Sequence, residues 1–152
     1  MASERLLRPR VFVDADVLFA GAAAPTEHGA SLTILRMAEI TLIDAVASQQ
    51  VVAEAERNLA RKLPPALPAF QVIVSRCLRL VADPTRKELA PFEGLADPAD
   101  LPILCAAVRE GCPWLATFNA RHFRPGHPGV QVLRPGDLVL RVRTLLGGLR
   151  AP

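Results

Sequence analysis

No apolar run in this 152-residue chain reaches the ~18 residues that a membrane span needs, so a membrane partner is not expected. Cysteine is scarce. Cys77, Cys105 and Cys112 form no Cys-x-x-Cys pair and have no imidazoles clustered with them, which leaves no zinc site; they read as small buried apolar residues. No glycine-rich phosphate loop is present, since Gly147-Gly148 lacks the P-loop pattern. Neither Ser31 nor Ser48 sits in a Gly-x-Ser-x-Gly elbow. There is no repeat and no low-complexity tract. The segment MASERLLRPR is charged, but Asp14 and Asp16 interrupt the apolar stretch VFVDADVLFAG that follows. A secretory signal is therefore not expected, and the expected compartment is the cytoplasm.

Apolar residues make up 51% of the chain, the composition of a folded protein. The length suits one domain, residues 1–152, with roughly two-thirds of the unfolded surface buried. The formal net charge is +3, and of 18 cations only Lys62 and Lys87 are lysine; the others are arginine. Guanidinium forks match phosphates, so nucleic acid is a partner class that the composition admits. A GC-rich genome would favour the same residues.

Short apolar stretches alternate with helical patterns. Residues 11–14 read as a buried strand ending in Asp14, with a short helix near Val17–Phe19 and a loop from Gly21 to Gly29 around Pro25. Ala30–Glu39 reads as a helix with Leu32, Leu35, Met37 and Ala38 near helical spacing. Ile40–Ala47 is expected as a second strand. Ser48 is expected to cap a helix over Val51–Lys62, which Pro64-Pro65 ends. Ala66–Cys77 reads as a helix and Leu78–Val81 as a strand. Asp97-Pro98 reads as a cap with proline at the first helical position, opening a helix that runs to Gly111. Trp114–Thr117 and Val130–Leu133 read as strands, Asn119–Phe123 as a short turn, and Pro135–Leu149 as a closing helix. This alternation predicts a three-layer α/β/α domain around a mostly parallel sheet of about five strands.

In such sheets ligands bind at the carboxyl ends of the strands. The candidates there are Asp14, Asp16, Glu54, Asp97, Asp100 and Asn119. Carboxylates brought together repel one another and stay ionised only around a cation. An all-oxygen donor set suits Mg²⁺ or Mn²⁺. Such an ion beside a basic rim suits phosphodiester hydrolysis.

Four stretches also resemble, in order and spacing, the motifs of the PIN-domain ribonucleases. VFVDADVLFAG is similar to their first motif and SQQVVAEAERNLARKL to their second. DPADLPILCAAVREG resembles the third and LATFNARHF the fourth. The resemblance covers nearly the whole chain and is nearest to the VapC-like toxins of bacterial toxin–antitoxin pairs. It implies a PIN-like fold, a Mg²⁺-dependent (or Mn²⁺-dependent) endoribonuclease acting on RNA, a cognate antitoxin as partner, and a homodimer. Asp14, Glu54 and Asp100 carry over as catalytic metal ligands, with Asp97 nearby in the metal set. Asn119 stands where the family more often has Asp, so it offers an amide oxygen and no charge. Thr117 is expected to hydrogen-bond Asp14 or a metal-bound water. Asp16 is expected to support the site by capping the helix after it. Arg121, His122 and Arg124 are the candidate phosphate contacts.

Each acid also has a plain structural role open to it: a strand end satisfied by backbone amides for Asp14, solvation for Glu54, a helix cap for Asp97, the helix dipole for Asp100. Two other functions compete. Asn119 motivates a PIN fold that binds RNA or protein without cutting. A haloacid-dehalogenase-like phosphatase shares the strand followed by Asp-x-Asp. In that family, however, a Ser or Thr strand and a Lys precede the last acidic pair, whereas Thr117 follows Asp97 and Asp100.

Overall fold

The computed structural model describes residues 8–23 and 29–148. Five strands form one parallel sheet: β1 (Arg10–Val13), β2 (Asp44–Ser48), β3 (Leu78–Val81), β4 (Trp114–Ala116) and β5 (Gln131–Leu133). Their spatial order is β3-β2-β1-β4-β5. The helices are α1 (Ala15–Ala23), α2 (Ala30–Glu39), α3 (Gln49–Lys62), α4 (Leu67–Cys77), α5 (Arg86–Leu89), α6 (Leu101–Arg109) and α7 (Pro135–Gly147). Helices α1 to α4 and α7 pack on one another, while α6 packs on α5 and β4. This is the expected three-layer α/β/α architecture.

The apolar strands explain the layering. Val11, Phe12 and Val13 are fully buried, as a strand covered on both faces requires. Each such side chain contributes roughly 1.5–3 kcal/mol of transfer free energy. From β1 the chain builds outward to β2 and β3 on one side, then returns to build β4 and β5 on the other. The reversal leaves a crevice at the carboxyl ends of β1 and β4, where an open parallel sheet binds its ligands. Three free cysteines are buried, as expected; burial pushes the Cys112 thiol up to about 12, so it is unreactive. Among the described residues no helix is long and apolar enough to cross a membrane.

Several boundaries differ from the sequence reading. Helix α1 runs on to Ala23, so residues 21–23 of the expected 21–29 loop are helical; residues 24–28, Pro25 among them, lie outside the described residues. Ile40 is exposed and belongs to a turn, and β2 begins at Asp44. Here Leu42 N–H donates to Met37 O at 2.9 Å and Thr41 N–H to Ala38 O at 3.0 Å, the paired bonds that close a helix through a left-handed residue. Ser48 holds the N-cap position of α3 without a side-chain bond. Asp83, from the loop after β3, accepts the Gln50 N–H at 2.8 Å instead. The Asp97 turn precedes α6, which starts one turn later with Asp100 at its N-cap. Helix α5 escaped the sequence reading although Thr85 and Glu88 form a capping box, whose Thr-x-x-Glu spacing is a helix-start signature.

Thr41 adopts φ 64°, a region that a β-branched residue enters at a cost. Thr41→Gly is expected to raise stability by ~1 kcal/mol, measured as the urea midpoint with an unchanged m-value. A lower midpoint would mean that the threonine side chain stabilises the turn.

Candidate metal centre

The sheet register builds the site. Val13 pairs with Ala116, so the next residues, Asp14 and Thr117, emerge side by side at the β1/β4 crevice. Asp14 is almost wholly buried and Thr117 completely so. The Thr117 hydroxyl donates to Asp14 Oδ2 at 2.8 Å, and Ala15 N–H donates to Asp14 Oδ1 at 2.7 Å. The Asp14 carbonyl accepts from Val17 N–H at 3.1 Å and Leu18 N–H at 3.2 Å. Asp14 therefore opens α1.

This corrects the role expected for Asp16. It lies in the first turn of α1 and reaches across to the segment after β4. Its Oδ2 accepts from Phe118 N–H at 3.0 Å and from Asn119 Nδ2 at 3.2 Å, and lies 3.4 Å from Thr117 Oγ1. Its Oδ1 is buried and has no hydrogen-bond partner among the described residues. Asn119 accordingly turns its amide nitrogen toward Asp16, so its main observed role is to hold that carboxylate.

The Asp97 turn supplies the next acids. Asp97 O accepts from Asp100 N–H at 2.8 Å, and Asp97 N–H donates to His122 O at 2.8 Å. The second bond fastens the 3₁₀ turn Ala120–Phe123 to the acidic turn. His122 Nδ1 then stands 3.4 Å from Asp100 Oδ2. One ligand atom each from Asp97, Asp100 and His122 lies within 4.8 Å of the others. His122 was expected against substrate; the structure pairs it with Asp100. Arg121 and Arg124 are exposed on the same turn. Glu54 is exposed on α3. Among the described residues no hydrogen bond or ion pair ties it to the cluster.

The electrostatics are strained. Burial, then the neighbouring Asp16, pushes Asp14 up to about 7 despite the bonds from Thr117 and Ala15. Burial likewise raises Asp16, with Asp100 adding to it. Asp100 is raised by burial and by Asp97, against an opposing pull from His122. Among the described residues, no lysine or arginine pairs with Asp14, Asp16, Asp97 or Asp100. Four carboxyls without a lysine or arginine partner among the described residues, one with an orphaned buried oxygen, fit a hard divalent cation.

Residues 10–121 match the family model of the PIN domain. The chain belongs to the PIN-domain family. Solved structures that share this fold at low sequence identity include the following. PAE2754 from Pyrobaculum aerophilum is 18% identical, with a TM-score of 0.64 over 90% of this chain and 96% of its own. VapBC2 from Rickettsia felis, bound to a DNA fragment from its promoter, is 18% identical, with a TM-score of 0.58 over 82% of this chain and 98% of the matched one. Mycobacterium tuberculosis VapC20, a sarcin–ricin loop cleaving toxin, is 18% identical, with a TM-score of 0.57 over 79% and 98%. A search of curated proteins found no match.

The raised Asp14 carboxyl sets a pH dependence for this PIN domain. The folded state keeps a proton that the unfolded chain releases near 3.8 and loses it only near 7. Stability is then greatest below the unfolded value and falls as pH rises from about 4 to about 7. In EDTA, Asp14→Asn is expected to exceed the parent by ~1–3 kcal/mol near pH 8, with the advantage vanishing toward pH 4. Denaturation at both pH values checks this. A variant weaker at both would show the carboxylate to be structural.

Proposed function

We propose that the protein is a Mg²⁺- or Mn²⁺-dependent endoribonuclease, the toxin of a toxin–antitoxin pair. The observation that carries the reading is the carboxylate cluster at the β1/β4 crevice, with its orphaned Asp16 oxygen and its protonation-prone Asp14. Membership of the PIN-domain family supports it. So do two similar folds, one a sarcin–ricin loop cleaving toxin and one a VapBC complex. The antitoxin partner rests on the second of these, and the homodimer on the resemblance of the motifs.

Asp14, Asp97 and Asp100 would hold the cation, with Glu54 reaching in from α3; Asp14, Glu54 and Asp100 are the catalytic set. A divalent ion there supplies an acidified water and neutralises charge on the phosphoryl oxygens. The chain's own groups position that chemistry. Thr117 and the Ala15 amide fix the orientation of Asp14. Asn119 and the Phe118 amide fix Asp16. His122, with Nδ1 3.4 Å from Asp100 Oδ2, orients Asp100. Arg121 and Arg124, exposed on the adjoining turn, meet the phosphates on either side of the scissile bond.

Purified protein with Mg²⁺ or Mn²⁺ is expected to cut mixed RNA, and Asp14→Asn or Asp100→Asn to reduce cleavage to background without loss of fold. Equal cleavage by parent and variants would reveal a contaminant and sink the proposal. Binding of RNA without cleavage by either would favour the non-cutting reading that Asn119 motivates. Thr117→Val removes the hydroxyl that orients Asp14. It is expected to cost about 10–100-fold in activity, partly recovered at high Mg²⁺. An unchanged rate would remove Thr117 from the site.

A further inference from the structure

A cleft of about 400 Å³ lies beside the carboxylate cluster, between the first turns of α2 and α7. Among the described residues neither helix has a side-chain cap bond at its N-terminus. The leading N–H groups of each lack intrahelical partners, and both dipoles present their positive ends. Gly29, Ala30 and Ser31 line one wall, with Gly136 and Arg134 opposite. Ser31 is 5% exposed, and among the described residues its Oγ has no hydrogen-bond partner. Arg134, exposed, makes no ion pair among the described residues.

Phe118 joins this cleft to the acids. Its amide donates to Asp16, whereas its ring lines the cleft and is 42% exposed. Ala20, four residues after Asp16 on α1, also lines it and shares a helix face with Asp16. An exposed aromatic ring beside an array of anion-binding groups is the chemistry that takes up one unstacked nucleotide.

We propose that this cleft binds the nucleotide next to the scissile bond of single-stranded RNA, its base stacked on Phe118 and its phosphate held by Arg134 and the two helix N-termini. The inference rests on the nuclease reading. Among the described residues Asp137 is the one acid on the wall, and it opposes the phosphate. Its removal should strengthen binding, which a purely structural role would not do.

The test uses a labelled single-stranded oligoribonucleotide of about eight nucleotides. Affinity is measured by anisotropy in EDTA on the full chain carrying Asp14→Asn, and KM and kcat on the parent background with Mg²⁺. Phe118→Ala is expected to weaken binding about 5–100-fold. Arg134→Glu should weaken it about tenfold and flatten the salt dependence. Ala30→Pro removes one N–H from the cleft without costing a helical bond, because Gly29 before it is already extended; it should raise KM severalfold at unchanged melting temperature. Asp137→Asn should tighten binding.

Unchanged affinities in all four variants, while the parent still cuts RNA, would overturn the cleft and leave the nuclease standing. Equal losses on duplex RNA would also overturn it, since a duplex keeps its bases stacked. A parent that neither binds nor cuts RNA would bring down both readings.

Discussion

The hydrogen bond from Thr117 to Asp14 is the contact on which the arrangement of the site depends. It spans the two central strands where the sheet reverses direction, and it is buried on both sides. A carboxylate in that position is costly unless something compensates it. One hydroxyl and one amide are not enough, which is why Asp14 holds its proton toward neutral pH. The fold therefore keeps a destabilised carboxyl at its most confined point. That arrangement is expected of a group whose charge is useful only when another charge arrives.

The remaining site residues follow from how three loops meet at this point. The turn after β4 brings Phe118 and Asn119 onto Asp16. The Asp97 turn is tied by its backbone to His122. Phe123, buried beneath that turn, anchors it to the core. The acids are thus held mostly by main-chain bonds and packing, so their spacing does not depend on their own mutual interactions. Repelling groups can then stay close without the fold having to relax around them.

Much of this was legible in the sequence because buried parallel strands are short and apolar, and each ends at a marked residue. Ala30–Glu39 and Leu78–Val81 have the expected bounds, and Asp14 and Thr117 fall where the strand pattern puts them. The misreadings share a cause: local signals with two uses. Ile40 and Thr41 are β-branched, yet the chain uses them to close a helix. Asp97-Pro98 and Asp100-Leu101-Pro102 both resemble helix starts, and packing selects the second. Asp16 resembles a cap, but Asp14 already occupies that place. Its true partners lie about a hundred residues away, where no local pattern reaches. Glu54 differs: its motif marks it as a ligand, whereas it is exposed on α3, and among the described residues no hydrogen bond or ion pair ties it to the cluster.

The segment Thr117-Phe118-Asn119 has a consequence for how this chain can vary. Three successive residues there face in three directions: a hydroxyl toward Asp14, a ring toward the neighbouring cleft, an amide toward Asp16. Inserting or deleting one residue would rotate all three assignments at once. Substitutions here can be compensated singly, but a change in length cannot. This short stretch acts as a spacer of fixed gauge, coupling the clustered acids to the neighbouring cleft.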